Sequence, residues 1–221
     1  MKINYRPEID GLRAVAVISV ILYHAEINIF NNNFFKGGFI GVDIFFVISG
    51  YLITSIILKE LFITNTFSLI EFYKRRVRRI LPPLLTIMII SMPLGWIYLL
   101  PSSFLDFSKS ILYSLGFVSN FYFHFTDQQY GAANGLLKPF LHTWSLSVEE
   151  QFYILFPIFL LILFTFLKRF IFIFFLILLL LSIGFFNWAS EDHRSLNFYM
   201  LVSRGWELIA GSILAYIELK E

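Results

Sequence analysis

Long apolar runs dominate this sequence and restrict the folds open to it. Seven runs come close to the roughly 20 residues that a helix needs to cross a bilayer core. They lack the alternation of membrane β-strands, and lipid admits only helices or closed barrels. We therefore predict an all-α, polytopic transmembrane helix bundle, as one membrane domain over residues 1–221. The runs are Leu12–Phe30, Ile40–Leu58, Leu81–Leu100, Phe104–Phe125, Ser147–Leu167, Phe170–Trp188 and Asn197–Ile217.

Composition supports a membrane protein and excludes several other classes. Hydrophobic residues make up 58% of the chain and charged residues 14%, against about 25% charged in soluble domains. A formal net charge of +2 gives no reason to expect nucleic acid as a partner. The chain has no cysteine, which excludes disulfides, thiolate metal sites and a cysteine-linked intermediate. We expect no metal site and no bound cofactor.

Basic residues predict the orientation of the chain in the plasma (inner) membrane. Lys2, Arg6 and Arg13 precede or open the first run, and six further cations occupy the second connection. By the positive-inside rule both segments, and thus the N-terminus, should be cytoplasmic. Phe104–Phe125 is the weakest run because it contains several polar side chains. The sequence leaves open whether this run crosses the membrane and on which side the loop Asp127–His142 lies.

Ionisable residues form a stripe along the first run. Arg13 and His24 are 11 residues apart, which is about three full turns, so they share a helix face about 16 Å apart. Asp10 lies one turn before Arg13 and should pair with it, or the two should serve only as a cap and a snorkelling side chain. His24 lies deeper, where burial favours the neutral imidazole that can accept a proton.

Three more groups of ionisable residues interrupt the apolar pattern. Asp43 follows a glycine-rich segment and is either a helix cap or a functional carboxylate. Arg204 and Glu207, at i and i+3, form either a self-contained ion pair or part of a site. A basic cluster precedes Pro82 and suits either anionic lipid and topology or a polyphosphate such as coenzyme A; its arginines are Arg75, Arg76, Arg78 and Arg79.

Two adjacent carboxylates begin the fifth run. Ser145 or Ser147 is a natural N-cap, with Glu149 or Glu150 in the first turn. Capping explains one carboxylate, and the second remains a candidate for a site. Trp144 precedes the pair and is a candidate for lining the same site.

Five of these segments, in this order, resemble the acyltransferase 3 family of integral membrane proteins. The subgroup they are most similar to is the O-antigen and cell-wall saccharide O-acetylases. The matching residues are 6–13 running on to His24, then 38–54, 72–82, 142–153 and 204–211. Members of that family have about ten spans, often followed by a soluble esterase-like domain. We therefore expect this chain to be incomplete at its C-terminus.

The resemblance implies transfer of an acyl group, commonly acetyl, from acyl-CoA to a hydroxyl of a cell-surface saccharide or lipid-linked glycan. It implies that His24 is the catalytic base, that Arg13 and the arginines of residues 75–79 bind the donor, and that Glu149 is the acidic catalytic position. Glu149 or Asp43 would orient the imidazole. Asp10, Trp144, Glu150, Arg204 and Glu207 would line the site. Membrane lipids are the remaining expected partners.

Two other functions fit the same buried charges. A transporter or flippase for a polar headgroup would also carry them, although such proteins usually contain paired structural repeats, and the sequence contains none that we detect. A non-catalytic membrane partner that retains the family's helices is the second alternative. Turnover of acyl-CoA by the purified chain distinguishes the enzyme from both.

Overall fold

Helices account for nearly all of the regular structure in the computed structural model, which describes residues 6–25, 27–29, 32–33, 35–126 and 138–220. A 3₁₀ turn, Lys168–Phe170, precedes α7, and a two-residue antiparallel pair joins Asn28–Ile29 (β1) to Asn32–Asn33 (β2). The predicted all-α class is confirmed. The helices are α1 (Pro7–His24), α2 (Ile40–Thr64), α3 (Leu69–Tyr98), α4 (Pro101–Leu115), α5 (Ser119–Phe125), α6 (Thr143–Phe166), α7 (Ile171–Asp192), α8 (Arg194–Tyr199) and α9 (Leu201–Glu218).

Fewer helices than predicted are long and apolar enough to cross a membrane. Within the described residues there are five: α2, α3, α6, Lys168–Asp192 and Arg194–Glu218. The multi-pass architecture is thus confirmed, and the predicted number of about seven is too high. Helix α1 falls short because its 18 residues include Glu8, Asp10 and Arg13.

The chain divides into two compact units, which are described separately. The first unit comprises residues 1–65, 163–187 and 204–221, and the second comprises residues 66–162 and 188–203. The first unit therefore contains α1, α2 and most of α7 and α9. The second contains α3, α4, α5, α8 and most of α6.

Glycines set the helix packing in the first unit. A Cβ on Gly38 would lie 2.2 Å from the Ser19 carbonyl oxygen, and one on Gly41 would lie 2.4 Å from that of Ala16. As the chain advances from Gly38 to Gly41, its contact on α1 moves back from Ser19 to Ala16. Helices α1 and α2 are therefore antiparallel. Helices α2 and α9 are instead parallel, because Asp43 contacts Arg204 near their starts and Gly50 meets Leu208 further along.

Substitution of Gly50 by alanine should destabilise the first unit by about 1–3 kcal/mol, the usual cost of overpacking. The new Cβ would lie 1.8 Å from the backbone oxygen of Leu208, which cannot move as a flexible side chain can. Thermal unfolding in detergent measures the loss. Gly184→Ala is the matched control, since its Cβ would meet nothing within 4 Å. An equal effect of both substitutions would contradict this account of the packing.

In the second unit, α3 and α6 run in opposite directions. The Tyr73 hydroxyl donates to the Ile154 carbonyl at 2.9 Å, whereas Leu84 and Met88, further along α3, belong to the hydrophobic cluster against which Leu146, near the start of α6, is packed. If both helices cross the membrane, the chain between them begins and ends on one side.

The run Phe104–Phe125 is therefore not a single transmembrane span. It is broken after α4, where Phe117 has a φ of 53°. Helix α4 is about 22 Å long, too short for a bilayer core of about 30 Å. Helix α5 turns back, and its Tyr122 ring stacks on that of Tyr113, with centroids 4.7 Å apart. Residues 127–137 of the predicted loop lie outside the described residues.

Candidate functional site

The first helix carries the predicted polar stripe. Arg13 and Asp10 form an ion pair, with 3.6 Å between guanidinium nitrogen and carboxylate oxygen, which is one of the two arrangements that the sequence left open. Their side chains are 30% and 50% exposed, which makes the pair a weak contributor to stability. Next to it Arg6 pairs with Glu8 at 2.5 Å and with Glu218, the last residue of α9, at 2.6 Å.

His24 is the last residue of α1, so the helix ends earlier than the apolar run Leu12–Phe30 indicated. Its Nδ1 lies 2.8 Å from the Val20 carbonyl oxygen. A carbonyl oxygen only accepts hydrogen bonds, so Nδ1 must carry the proton. In the neutral ring the lone pair is then on Nε2, the form required of a general base. The Tyr23 ring packs edge-on against the imidazole at 5.0 Å.

Arg204 binds two carboxylates from two helices. Its guanidinium lies 2.9 Å from Asp43 of α2 and 2.8 Å from Glu207 of α9. The interpretation as a self-contained Arg204–Glu207 pair is therefore wrong, since it omits Asp43. The Glu207 side chain is fully buried, and its Oε2 has no hydrogen-bond partner among the described residues. One guanidinium thus faces two carboxylates in a largely buried cluster.

The basic cluster lies inside a helix and not in a connection. Helix α3 begins at Leu69 and continues through Pro82 without a break. At 100° per residue, its four arginines fall within about 160° of the helix circumference. Arg76 is half-buried, and its guanidinium lies 4.0 Å from the centre of the Tyr153 ring. The other three, Arg75, Arg78 and Arg79, are exposed.

Glu149 and Glu150 are not first-turn capping residues. Helix α6 begins at Thr143, which makes them its seventh and eighth residues. Ser147, a predicted cap, instead shares a hydrogen bond with the Ser119 hydroxyl at 2.8 Å. Glu150 is buried and experiences the charge of Arg76, and its Oε1 has no hydrogen-bond partner among the described residues. Glu149 is half-buried.

Trp144 is a packing residue in this structure. It is 2% exposed, and its ring lies 4.5 Å from that of Phe198. It supports the start of α6 from within the second unit and does not face an open surface.

Two polar pairs in the second unit were missed by sequence reasoning. Asn120 and Gln151 hydrogen-bond to each other in both directions, at 2.8 and 3.3 Å. His124 Nδ1 lies 3.1 Å from the Ser195 hydroxyl. Each pair joins residues more than 30 positions apart, and no spacing rule detects such a pair. Of these four residues, only Gln151 is next to predicted site residues in the sequence, since it directly follows the two glutamates.

Comparison with known proteins identifies the family of this chain. The family model described as an acyltransferase domain matches residues 6–220. The chain is 37% identical over 221 residues to the peptidoglycan O-acetyltransferase OatA of Listeria monocytogenes, covering 97% of this chain and 34% of that protein. It is 39% identical over 155 residues to the O-acetyltransferase OatA of Staphylococcus aureus, covering 70% of this chain and 24% of that protein.

Both relatives are considerably longer than this chain. The chain spans about a third or less of the length of the two curated relatives. No solved structure matches the chain.

Proposed function

Because this chain belongs to the acyltransferase 3 family, we propose that it is an integral membrane O-acyltransferase that uses acyl-CoA as donor. The acyl group is acetyl, and the acceptor is a hydroxyl of a cell-surface saccharide or lipid-linked glycan. The names of both relatives support acetyl transfer, and that of the Listeria protein supports a peptidoglycan-type acceptor. The chain lies in the plasma membrane with its N-terminus in the cytoplasm, which its basic N-terminal residues support.

The observation that carries this proposal is the hydrogen bond at His24. With its Nδ1 proton donated to Val20, the imidazole presents Nε2 as its basic nitrogen. Nε2 accepts the proton of the acceptor hydroxyl as the oxygen attacks the thioester carbonyl. The carbon–sulfur bond breaks, and the thiolate of coenzyme A leaves. Direct transfer requires no thioester on the protein, and the chain has no cysteine that could form one.

The remaining polar groups bind the donor or position the catalytic groups. Arg204 holds Asp43 near the start of α2, at the same end of the α1–α2 pair as His24, so Asp43 acts as a positioning residue. Arg13 and the four arginines of α3 bind the phosphates of the donor, which guanidinium groups recognise by paired hydrogen bonds. Glu149 is the acidic catalytic group that the family resemblance selects, and Glu150 lines the site.

Acyl-CoA turnover and binding by the purified chain test the function. Replacement of Arg75, Arg78 and Arg79 by glutamate should weaken acyl-CoA binding at least about tenfold, because each charge-assisted hydrogen bond to phosphate contributes about 1.5–3 kcal/mol. Binding to the unmodified chain should also strengthen as salt is lowered.

The control for this experiment is orientation. If the arginines only set topology, their replacement would invert the chain and leave the affinity of correctly inserted molecules unchanged. Single cysteines, introduced into a chain that has none, report the orientation by their accessibility. Unchanged affinity in correctly oriented protein would refute donor binding by α3, and absence of any turnover would favour a transporter or a non-catalytic partner.

Glu149 and Glu150 should respond differently to glutamine. Adjacent helical side chains point about 100° apart and cannot serve one site equally. We expect Glu149→Gln to reduce acetyl transfer by about 10²-fold, the lower range for positioned acid–base groups, and Glu150→Gln to reduce it less. Transfer rates of the two variants at equal expression measure this. Equal, mild losses would remove Glu149 from the mechanism and leave Asp43 as the candidate carboxylate.

A further inference from the structure

We propose that the first unit contains a binding site for the phosphate headgroup of an anionic phospholipid. The site is a cavity of about 360 Å³ at the ends of three helices. Its lining combines cations with apolar and aromatic side chains: Phe62, Lys168, Arg169, Ile171, Tyr216 and Lys220. No step of the acyl-transfer mechanism uses any of these residues.

Chain turns bring the cations together at this point. Lys168 and Arg169 lie in the 3₁₀ turn that starts α7, and Lys220 lies just after the end of α9. Aromatic rings hold the two ammonium groups in place. The Lys168 Nζ is 4.4 Å from the centre of the Phe164 ring, and the Lys220 Nζ is 4.9 Å from that of Tyr216. Such cation–π contacts attract the ammonium without neutralising its charge.

The charge of this cluster is uncompensated within the described part of the chain. Lys168, Arg169 and Lys220 make no ion pair there, whereas Arg6 and Arg204 each bind carboxylates. Three cations around one cavity repel each other, and a bound anion would relieve that repulsion. Their hydrogen-bond donors suit phosphate oxygens.

Neighbouring apolar surface indicates that the anion is an amphiphile. Ile171 and Tyr216 form a buried apolar part of the cavity lining. Beside the cations along the chain, Phe166 and Phe170 remain 78% and 45% exposed, and Ile217 beside Tyr216 is 43% exposed. Helix ends of a membrane protein lie at the level of the headgroups, where a lipid places its phosphate on cations and its acyl chains on apolar side chains. A soluble phosphate would leave that apolar surface uncovered.

Native mass spectrometry of the full chain in detergent tests the site with short-chain lipids. Dihexanoyl phosphatidylglycerol should bind at least about tenfold more tightly than dihexanoyl phosphatidylcholine, since each cation near an anionic headgroup contributes about fivefold. The variant Lys168→Ala/Arg169→Ala/Lys220→Ala should lose this preference. Lys36→Ala is the matched control, because it removes one exposed cation before α2 and leaves the cavity intact.

Two further measurements keep the outcome unambiguous. If the triple variant unfolds, Lys220→Ala alone should still fold, because Lys220 lies just after the end of α9, and it should weaken phosphatidylglycerol binding severalfold. Equal binding of the two lipids, or an unchanged preference in the variants, would overturn the proposal. So would full displacement of the lipid by an equal concentration of inorganic phosphate or of coenzyme A, which would identify a soluble phosphate as the ligand.

Discussion

Replacement of His24 by alanine is expected to reduce acetyl transfer by about 10²–10⁴-fold, the contribution of a positioned general base. The Nδ1 proton is donated to the Val20 carbonyl at 2.8 Å, which leaves Nε2 as the basic nitrogen. Alanine removes Nε2, the atom that would take the proton from the hydroxyl of the glycan. Folding should be little affected, because His24 is a half-buried residue at the very end of α1. The measurement is the rate of acetyl transfer from acetyl-CoA to a glycan acceptor at equal amounts of folded protein.

His24→Asn distinguishes catalysis from structure at this position. The asparagine amide can still donate to the Val20 carbonyl but has no basic nitrogen. We therefore expect it to be as inactive as the alanine variant. The matched control is His193→Ala, which removes an exposed histidine that contacts Trp188. Activity of His24→Asn at the unmodified rate would show that only the hydrogen bond matters, and His24 would not be the base.

Replacement of Arg204 by alanine should cost about 3–5 kcal/mol of stability, the usual loss when one partner of a buried ion pair is removed. Asp43 and Glu207 would then face each other without the cation that now binds both, at 2.9 and 2.8 Å. Glu207 is fully buried, so bulk solvent could not solvate its carboxylate in place of the guanidinium. Thermal unfolding in detergent and the yield of monodisperse protein measure the loss.

The same cluster supplies a rescue experiment. Adding Asp43→Asn and Glu207→Gln to Arg204→Met removes every charge of the cluster and should restore most of the lost stability. Arg194→Ala is the control for loss of an arginine, because Arg194 is exposed and has no ion pair among the described residues. A mild effect of Arg204→Ala alone, equal to that of Arg194→Ala, would show that the cluster carries little energy.

Much of the fold follows from local sequence. Continuous apolar runs predict membrane helices because a backbone in lipid must satisfy its own hydrogen bonds. For that reason α2, α3, α6, α7 and α9 lie close to where their apolar runs predicted them. The positions of the helix ends were predicted less accurately. Helix α3 begins 12 residues before its apolar run, since charged residues such as Arg75 and Arg76 are good helix formers that hydropathy excludes.

Contacts among the candidate site residues were predictable only where the residues lie on one helix. The Asp10–Arg13 pair and the shared face of Arg13 and His24 follow from helical periodicity alone. The binding of Asp43 by Arg204 does not, because 161 residues separate them. The burial of Glu150 beside Arg76 likewise depends on how α3 packs on α6 within the second unit.

The sequence by itself thus determined the membrane class, the helical content and the family, because those depend on residue type and local spacing. Only the tertiary structure decided that Phe104–Phe125 turns back, since the direction of α6 relative to α3 is a property of their packing. It also decided which charges meet. Apolar periodicity shows that a helix is buried, but the partner that faces each buried charge is chosen by close contacts such as that of Gly50 with Leu208.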